Sequence, residues 1–115
     1  MKKNRTLILV AVKEELSEND LSNFTVHYTG VGKINASYKT LEIIKECSPT
    51  HIINYGTAGS LNEELKGLVE VTRFFQRDMD ATSLGFKIGQ TPFDDIAEID
   101  LGKHGFSCGT GDSFV

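Results

Sequence analysis

Ile52-Ile53-Asn54-Tyr55-Gly56-Thr57-Ala58-Gly59-Ser60-Leu61 is a short apolar run that passes directly into a glycine-rich turn. Its first residues, with His51 before them, read as a strand buried on both faces, because the apolar residues are contiguous rather than alternating. Upstream, Lys33–Glu46 puts Ile34, Tyr38, Leu41 and Ile44 on one helical face, with Lys33, Lys39, Glu42 and Lys45 largely off it. Ser48-Pro49 ends that helix. Before it, Asn23–Thr29 alternates Phe24, Val26 and Tyr28 against Thr25, His27 and Thr29, the two-residue period of a half-buried strand. Strand, helix and strand in this order and at this length predict a βαβ unit with parallel strands.

Working outward, Thr6–Val12 (TLILVAV) predicts another doubly buried strand, and Lys13–Glu18 the start of a helix. Ser17–Ser22 is a polar break. Leu68–Phe75 reads as a strand, Arg77–Asp100 as loop, and Gly105–Cys108 as a short return to the sheet. The expected fold class is α/β: a three-layer, mostly parallel or mixed sheet flanked by helices. At 115 residues, a single domain over 1–115 is expected.

Composition excludes several classes of function. Hydrophobic residues make up 39% and charged residues 24%, as in an ordinary globular domain. The net charge of −4 repels phosphate backbones, so no nucleic acid partner is expected. The apolar run Leu7–Val12 is too short for a membrane span. A basic start, Met1-Lys2-Lys3-Asn4-Arg5, is followed too soon by Lys13-Glu14-Glu15 to be an export signal. A cytoplasmic location is therefore expected. Cys47 and Cys108 lack metal-type spacing and read as plain buried thiols, ahead of a disulfide or ligand pair.

Ligands of open parallel sheets bind beyond the carboxyl ends of the strands. Here those ends carry Glu14-Glu15, Thr29-Gly30-Val31-Gly32, Gly56-Thr57-Ala58-Gly59 and Gly109-Thr110-Gly111-Asp112. Glycines let backbone amides approach a ligand, and Thr57 and Thr110 offer hydroxyls to ribose-type oxygens. Glu15 by itself reads either as a solvated glutamate in a helix's first turn or as a working acid.

These stretches also resemble a known family. Ala11–Leu16, Thr29–Ala36, Ile52–Leu61, Arg77–Thr82 and Gly109–Phe114 are similar, in order, to the nucleoside phosphorylases and nucleosidases. Among these, the resemblance is to the bacterial nucleosidases that hydrolyse 5′-methylthioadenosine and S-adenosylhomocysteine. It implies that Glu15 helps hold the attacking water, with Thr57 near that water and the ribose and with Ala58 and Gly59 beside it in the ligand-binding turn. It further implies that Val31 touches the 5′ substituent, that Phe114 stacks on the purine, and that the backbone of Val115 meets the base edge. A purine nucleoside ligand, a homodimer or other homo-oligomer, and no cofactor or metal are implied with them.

Departures from the family pattern refine this. The phosphorylases carry a phosphate-holding arginine where this chain has Asn54, and the first turn carries Glu14 and Glu15, so water is the expected nucleophile. Leu68 replaces a usual aspartate, and the Glu15–Asn23 segment is short. Nothing in the chain matches the family's later Met-Glu pair or its purine-protonating aspartate. A truncated domain with little or no turnover of its own is therefore expected, and an inactive truncated nucleoside-binding or interaction module, or a gene remnant with no function, is the alternative. A flavodoxin- or receiver-like α/β regulator is a third reading; Glu14 and Glu15 could supply the receiver's acidic residues, but its phosphorylatable aspartate would fall where Asn54-Tyr55-Gly56 stands. Asp78-x-Asp80 lacks a third metal ligand, and Gly111-Asp112-Ser113 lacks a nucleophile elbow and a positioned histidine. His27, His51 and His104 are scattered, and Asp94–Asp100 reads as a solvated acidic loop.

Overall fold

Thr6–Val10 forms strand β1, in which Leu7, Ile8, Leu9 and Val10 are all buried, as its unbroken apolar run requires. The computed structural model describes residues 5–20 and 23–115. Residues 1–4 of the basic start and residues 21–22 of the polar break lie outside the described residues. The chain groups into two compact units, Met1–Gly59 and Ser60–Val115.

In the first unit, β1 is the middle strand between β2 (Thr25–Tyr28) and β3 (His51–Asn54). Both neighbours run parallel to it, with Leu7 opposite Thr25 on one side and Ile52 on the other. Helix α1 (Lys33–Cys47) joins β2 to β3 and supplies the crossover that parallel pairing demands. It starts at Gly32, whose φ of 97° suits glycine, and stops at Ser48 in the left-handed conformation, whose N–H donates to Ile44 O. Leu7 and Leu9, two residues apart on β1, meet Ile43 of α1, with Cys47 packed beside them.

Several expectations change here. The helix buries Ile43, while Ile34, Tyr38, Leu41 and Ile44 stay exposed. Apolar residues on α1 occupy more than one side, and the sheet takes the side on which Ile43 and Cys47 lie. β3 is exposed along its whole length although it, like β2, is an edge strand paired to β1, because nothing among the described residues packs closely over its two faces. Lys13–Glu18 does not begin a helix. The chain turns at 13–15, where Glu15 N donates to Val12 O, and makes a 3-10 turn at Glu18–Asp20. The alternation of Phe24, Val26 and Tyr28 is not mirrored in burial, since Phe24 is exposed and Val26, His27 and Tyr28 are all intermediate.

In the second unit, β4 (Val71–Gln76) lies between β5 (Glu98–Asp100) and β6 (Phe106–Thr110). β5 is antiparallel to β4 and β6 is parallel to it. The stretch expected to be loop thus holds a strand, together with a 3-10 turn at Thr82–Leu84. Both cysteines are free thiols of intermediate exposure rather than fully buried ones.

Thr72 is wholly buried at the irregularity in the β4–β6 register, and its Oγ1 has no hydrogen-bond partner among the described residues. Gly105 passes so close that a Cβ there would lie 2.5 Å from Thr72 Cγ2. An unpaired buried hydroxyl is costly, and valine has nearly the same shape. Thr72→Val is expected to raise stability by about 1 kcal/mol. A urea midpoint that moves up supports this, and one that moves down shows that the hydroxyl has a partner.

Candidate functional site

The backbone ladder continues past the strand ends of the first unit and places their turns. Thr29 N donates to Val10 O, Gly30 N to Ala11 O and Tyr55 N to Leu9 O, each at 2.9 Å. The turns after β1, β2 and β3 therefore leave from the same end of the sheet, the carboxyl end where ligands of such sheets bind. The turn after β1 is braced by Tyr28, whose hydroxyl donates to Leu16 O at 2.7 Å and whose ring lies 5.8 Å from Lys13 Nζ. In the turn after β2, Asn35 Nδ2 reaches back to Val31 O at 2.8 Å, and Gly30 takes a φ of +82°.

Two residues singled out by the sequence meet here. The backbone N–H of Thr57 donates to Glu15 Oε2 at 2.5 Å, and the Thr57 hydroxyl donates to the same oxygen at 3.0 Å. Forty-two positions separate these residues in sequence. Both bonds are charge-assisted, and both fall on one oxygen. Glu15 Oε1 makes no hydrogen bond among the described residues. The carboxylate is thus held by one oxygen and offers the other.

Gly56 makes this approach possible. A Cβ at that position would stand 2.8 Å from Glu15 Oε2. Because the carboxylate ends a flexible side chain, Gly56→Ala is expected to cost less than about 1 kcal/mol of stability. It should nevertheless push Glu15 off Thr57. A large change in the Thr57 amide resonance with a nearly unchanged urea midpoint is the expected pair of results. An unmoved Thr57 amide would contradict it.

Val31 is exposed in the turn that leads into α1, and Ala58 and Gly59 follow Thr57, also exposed. Asn54 ends β3. Phe114 and Val115 belong to the second unit, where both are almost fully exposed. In that unit the Asp78-x-Asp80 pair is divided between two tasks. Asp78 Oδ2 accepts from Asp112 N at 2.9 Å. Asp80 Oδ1 accepts from Thr82 Oγ1 at 2.6 Å and Thr82 N at 3.0 Å, which holds its carboxyl below the usual carboxylate range. Sequence reading missed the steric role of Gly56, the brace from Tyr28 and the Asp78–Asp112 bond. The only signals for them were a glycine before Thr57 and an aspartate just past a strand.

Among the described residues, no group of three or more histidine, cysteine, aspartate or glutamate side chains is arranged to hold a metal ion, and no helix is long and apolar enough to cross a membrane.

The family model of the phosphorylase superfamily matches residues 20–105, well over half of the chain. The chain belongs to that superfamily. It is 41% identical over 66 residues to the 5′-methylthioadenosine/S-adenosylhomocysteine nucleosidase of Staphylococcus haemolyticus, a match covering 56% of this chain and 29% of that relative. The α/β fold is shared with solved structures. An S-adenosylhomocysteine nucleosidase from Streptococcus pyogenes, in complex with 5-methylthiotubericidin, superposes with a TM-score of 0.76 at 23% identity, over 100% of this chain and 66% of that one. A futalosine hydrolase mutant of Helicobacter pylori gives 0.77 at 20% identity, over 98% and 69%.

Proposed function

We propose that the chain carries a purine nucleoside site built for hydrolysis of the N-glycosidic bond of an adenine nucleoside, such as 5′-methylthioadenosine or S-adenosylhomocysteine. The observation that carries this reading is the pair of hydrogen bonds from Thr57 to a single oxygen of Glu15. With Oε2 fixed, Oε1 is free to accept a proton from water and to aim that water at the anomeric carbon. In the reaction the C1′–N bond breaks, water gives its hydroxyl to C1′ and its proton to Glu15, and the leaving base takes a proton from solvent, to which Glu15 later returns its own. A fixed carboxylate favours this step by taking up the water's proton and by facing the oxocarbenium-like charge that develops on the sugar.

In this reading Val31 contacts the 5′ substituent, and Ala58 and Gly59 bring backbone close to the ligand. Phe114 stacks on the purine and the Val115 backbone meets its edge. Asn54 in place of an arginine supports water rather than phosphate as the nucleophile, and so does the name of the relative from Staphylococcus haemolyticus. The proposal also includes a single domain over 1–115, a homo-oligomer and a cytoplasmic location.

The chain is expected to bind 5′-methylthioadenosine weakly and to release adenine slowly, at a rate that does not respond to inorganic phosphate. Chromatography of the products, with and without phosphate, checks this. Binding without any release would support the alternative, a nucleoside-binding module. Failure to bind any adenine nucleoside at millimolar concentration would overturn both, and a sugar 1-phosphate product would overturn hydrolysis.

A further inference from the structure

We propose that Asp78 is a positioning residue for the purine-stacking end of the chain, a role that rests on the nucleoside-site reading and deepens it. β4 and β6 run parallel, ending with Gln76 opposite Thr110, and Arg77 N donates to Thr110 O at 2.9 Å one residue further on. The two chains therefore leave the sheet side by side. Asp78 then turns its carboxylate across the gap, and Oδ2 accepts from Asp112 N at 2.9 Å. Gly111 lies against the Arg77 and Asp78 side chains. A Cβ there would lie 2.9 Å from Arg77 Cζ and 3.1 Å from Asp78 Oδ2. A side chain at Gly111 would require the ends of the Arg77 and Asp78 side chains to shift.

Phe114 lies two residues beyond Asp112, and its side chain is 99% exposed. Its own packing therefore does not set its direction. The backbone leading to it is held at Asp112 by Asp78, which limits where the ring can sit. An ionised carboxylate suits this task because it only accepts hydrogen bonds and binds an N–H more strongly than a neutral acceptor. Stacking on a base depends on ring placement, so a loosened Asp112 weakens binding without removing any group that touches the ligand.

The test is a double-mutant cycle on the full chain, read as binding of 5′-methylthioadenosine by equilibrium dialysis. Asp78→Ala should weaken binding about tenfold, and Asp78→Asn, which keeps an acceptor oxygen, should recover most of the loss. In a Phe114→Ala background Asp78→Ala should have almost no further effect, because the carboxylate acts through that ring. Hydrogen exchange at the Asp112 amide should speed up in Asp78→Ala and not in Phe114→Ala. Full additivity of the two changes, or wild-type binding by Asp78→Ala, would overturn the role. If the wild-type chain binds no adenine nucleoside, the nucleoside reading falls and this role falls with it. Slowed exchange at Asp112 would still register there as a structural hold alone.

Discussion

Glu15→Gln is expected to slow release of adenine from 5′-methylthioadenosine by about a hundredfold or more, the lower end of what a positioned proton-transfer group contributes. Glutamine has nearly the same shape, and its amide oxygen can still accept from the Thr57 N–H and hydroxyl that now meet Glu15 Oε2. The change therefore leaves the turn in place and removes the charge. What is lost is the basicity that draws a proton from water and the negative field facing the sugar. Because the wild-type rate is itself expected to be low, release is best followed with a labelled base over hours. Binding of the nucleoside should change far less than the rate. An equal rate for the two proteins would remove Glu15 from the chemistry. An equal fall in binding and rate would make it a structural acceptor for Thr57.

The largest effect on stability is expected at Ile43. This side chain is 1% exposed and meets Leu7 and Leu9 of β1, so Ile43→Ala removes most of what α1 contributes to the first unit's core. The expected cost is about 2–5 kcal/mol, the range for truncating a buried isoleucine to alanine. That is a large fraction of the roughly 5–15 kcal/mol by which small domains are stable, so the variant should unfold at much lower urea. Its neighbour provides the control. Ile44 is 42% exposed, and Ile44→Ala should cost about 1 kcal/mol or less. Comparable urea midpoints for the two variants would show that the helix packs by the stripe its periodicity suggested, rather than by the one bearing Ile43.

That contrast also shows how far the sequence could be read. β1, β2, α1, β3, β4 and β6 are legible to within a few residues, because each has an apolar run or period long enough to register. Which side of α1 faces the sheet was not legible, since Ile34, Tyr38, Leu41 and Ile44 form as good a stripe as the buried one. The exposure of β3 was hidden for a related reason. An apolar run indicates what a strand is suited to bury, but whether anything packs over its faces is a matter of tertiary structure. β5 escaped notice because Glu98-Ile99-Asp100 is short and acidic. What accompanies its pairing is the cross-strand Arg73, 2.8 Å from Glu98 and 3.9 Å from Asp100. In the candidate site, Glu15 and Thr57 were each nominated from glycine-rich strand ends and family resemblance. That they bond to each other, with Gly56 giving way between them, is a long-range fact that no local pattern carries.

The most direct test of the central claim is a titration of the chain with 5′-methylthioadenosine, followed residue by residue through its amide resonances. The expected result is saturable movement of Gly56, Thr57 and the Val31 turn, weakened in Gly56→Ala because Glu15 no longer meets Thr57. No movement at millimolar nucleoside, or movement confined to residues away from the strand ends, would contradict a nucleoside site at Glu15 and Thr57.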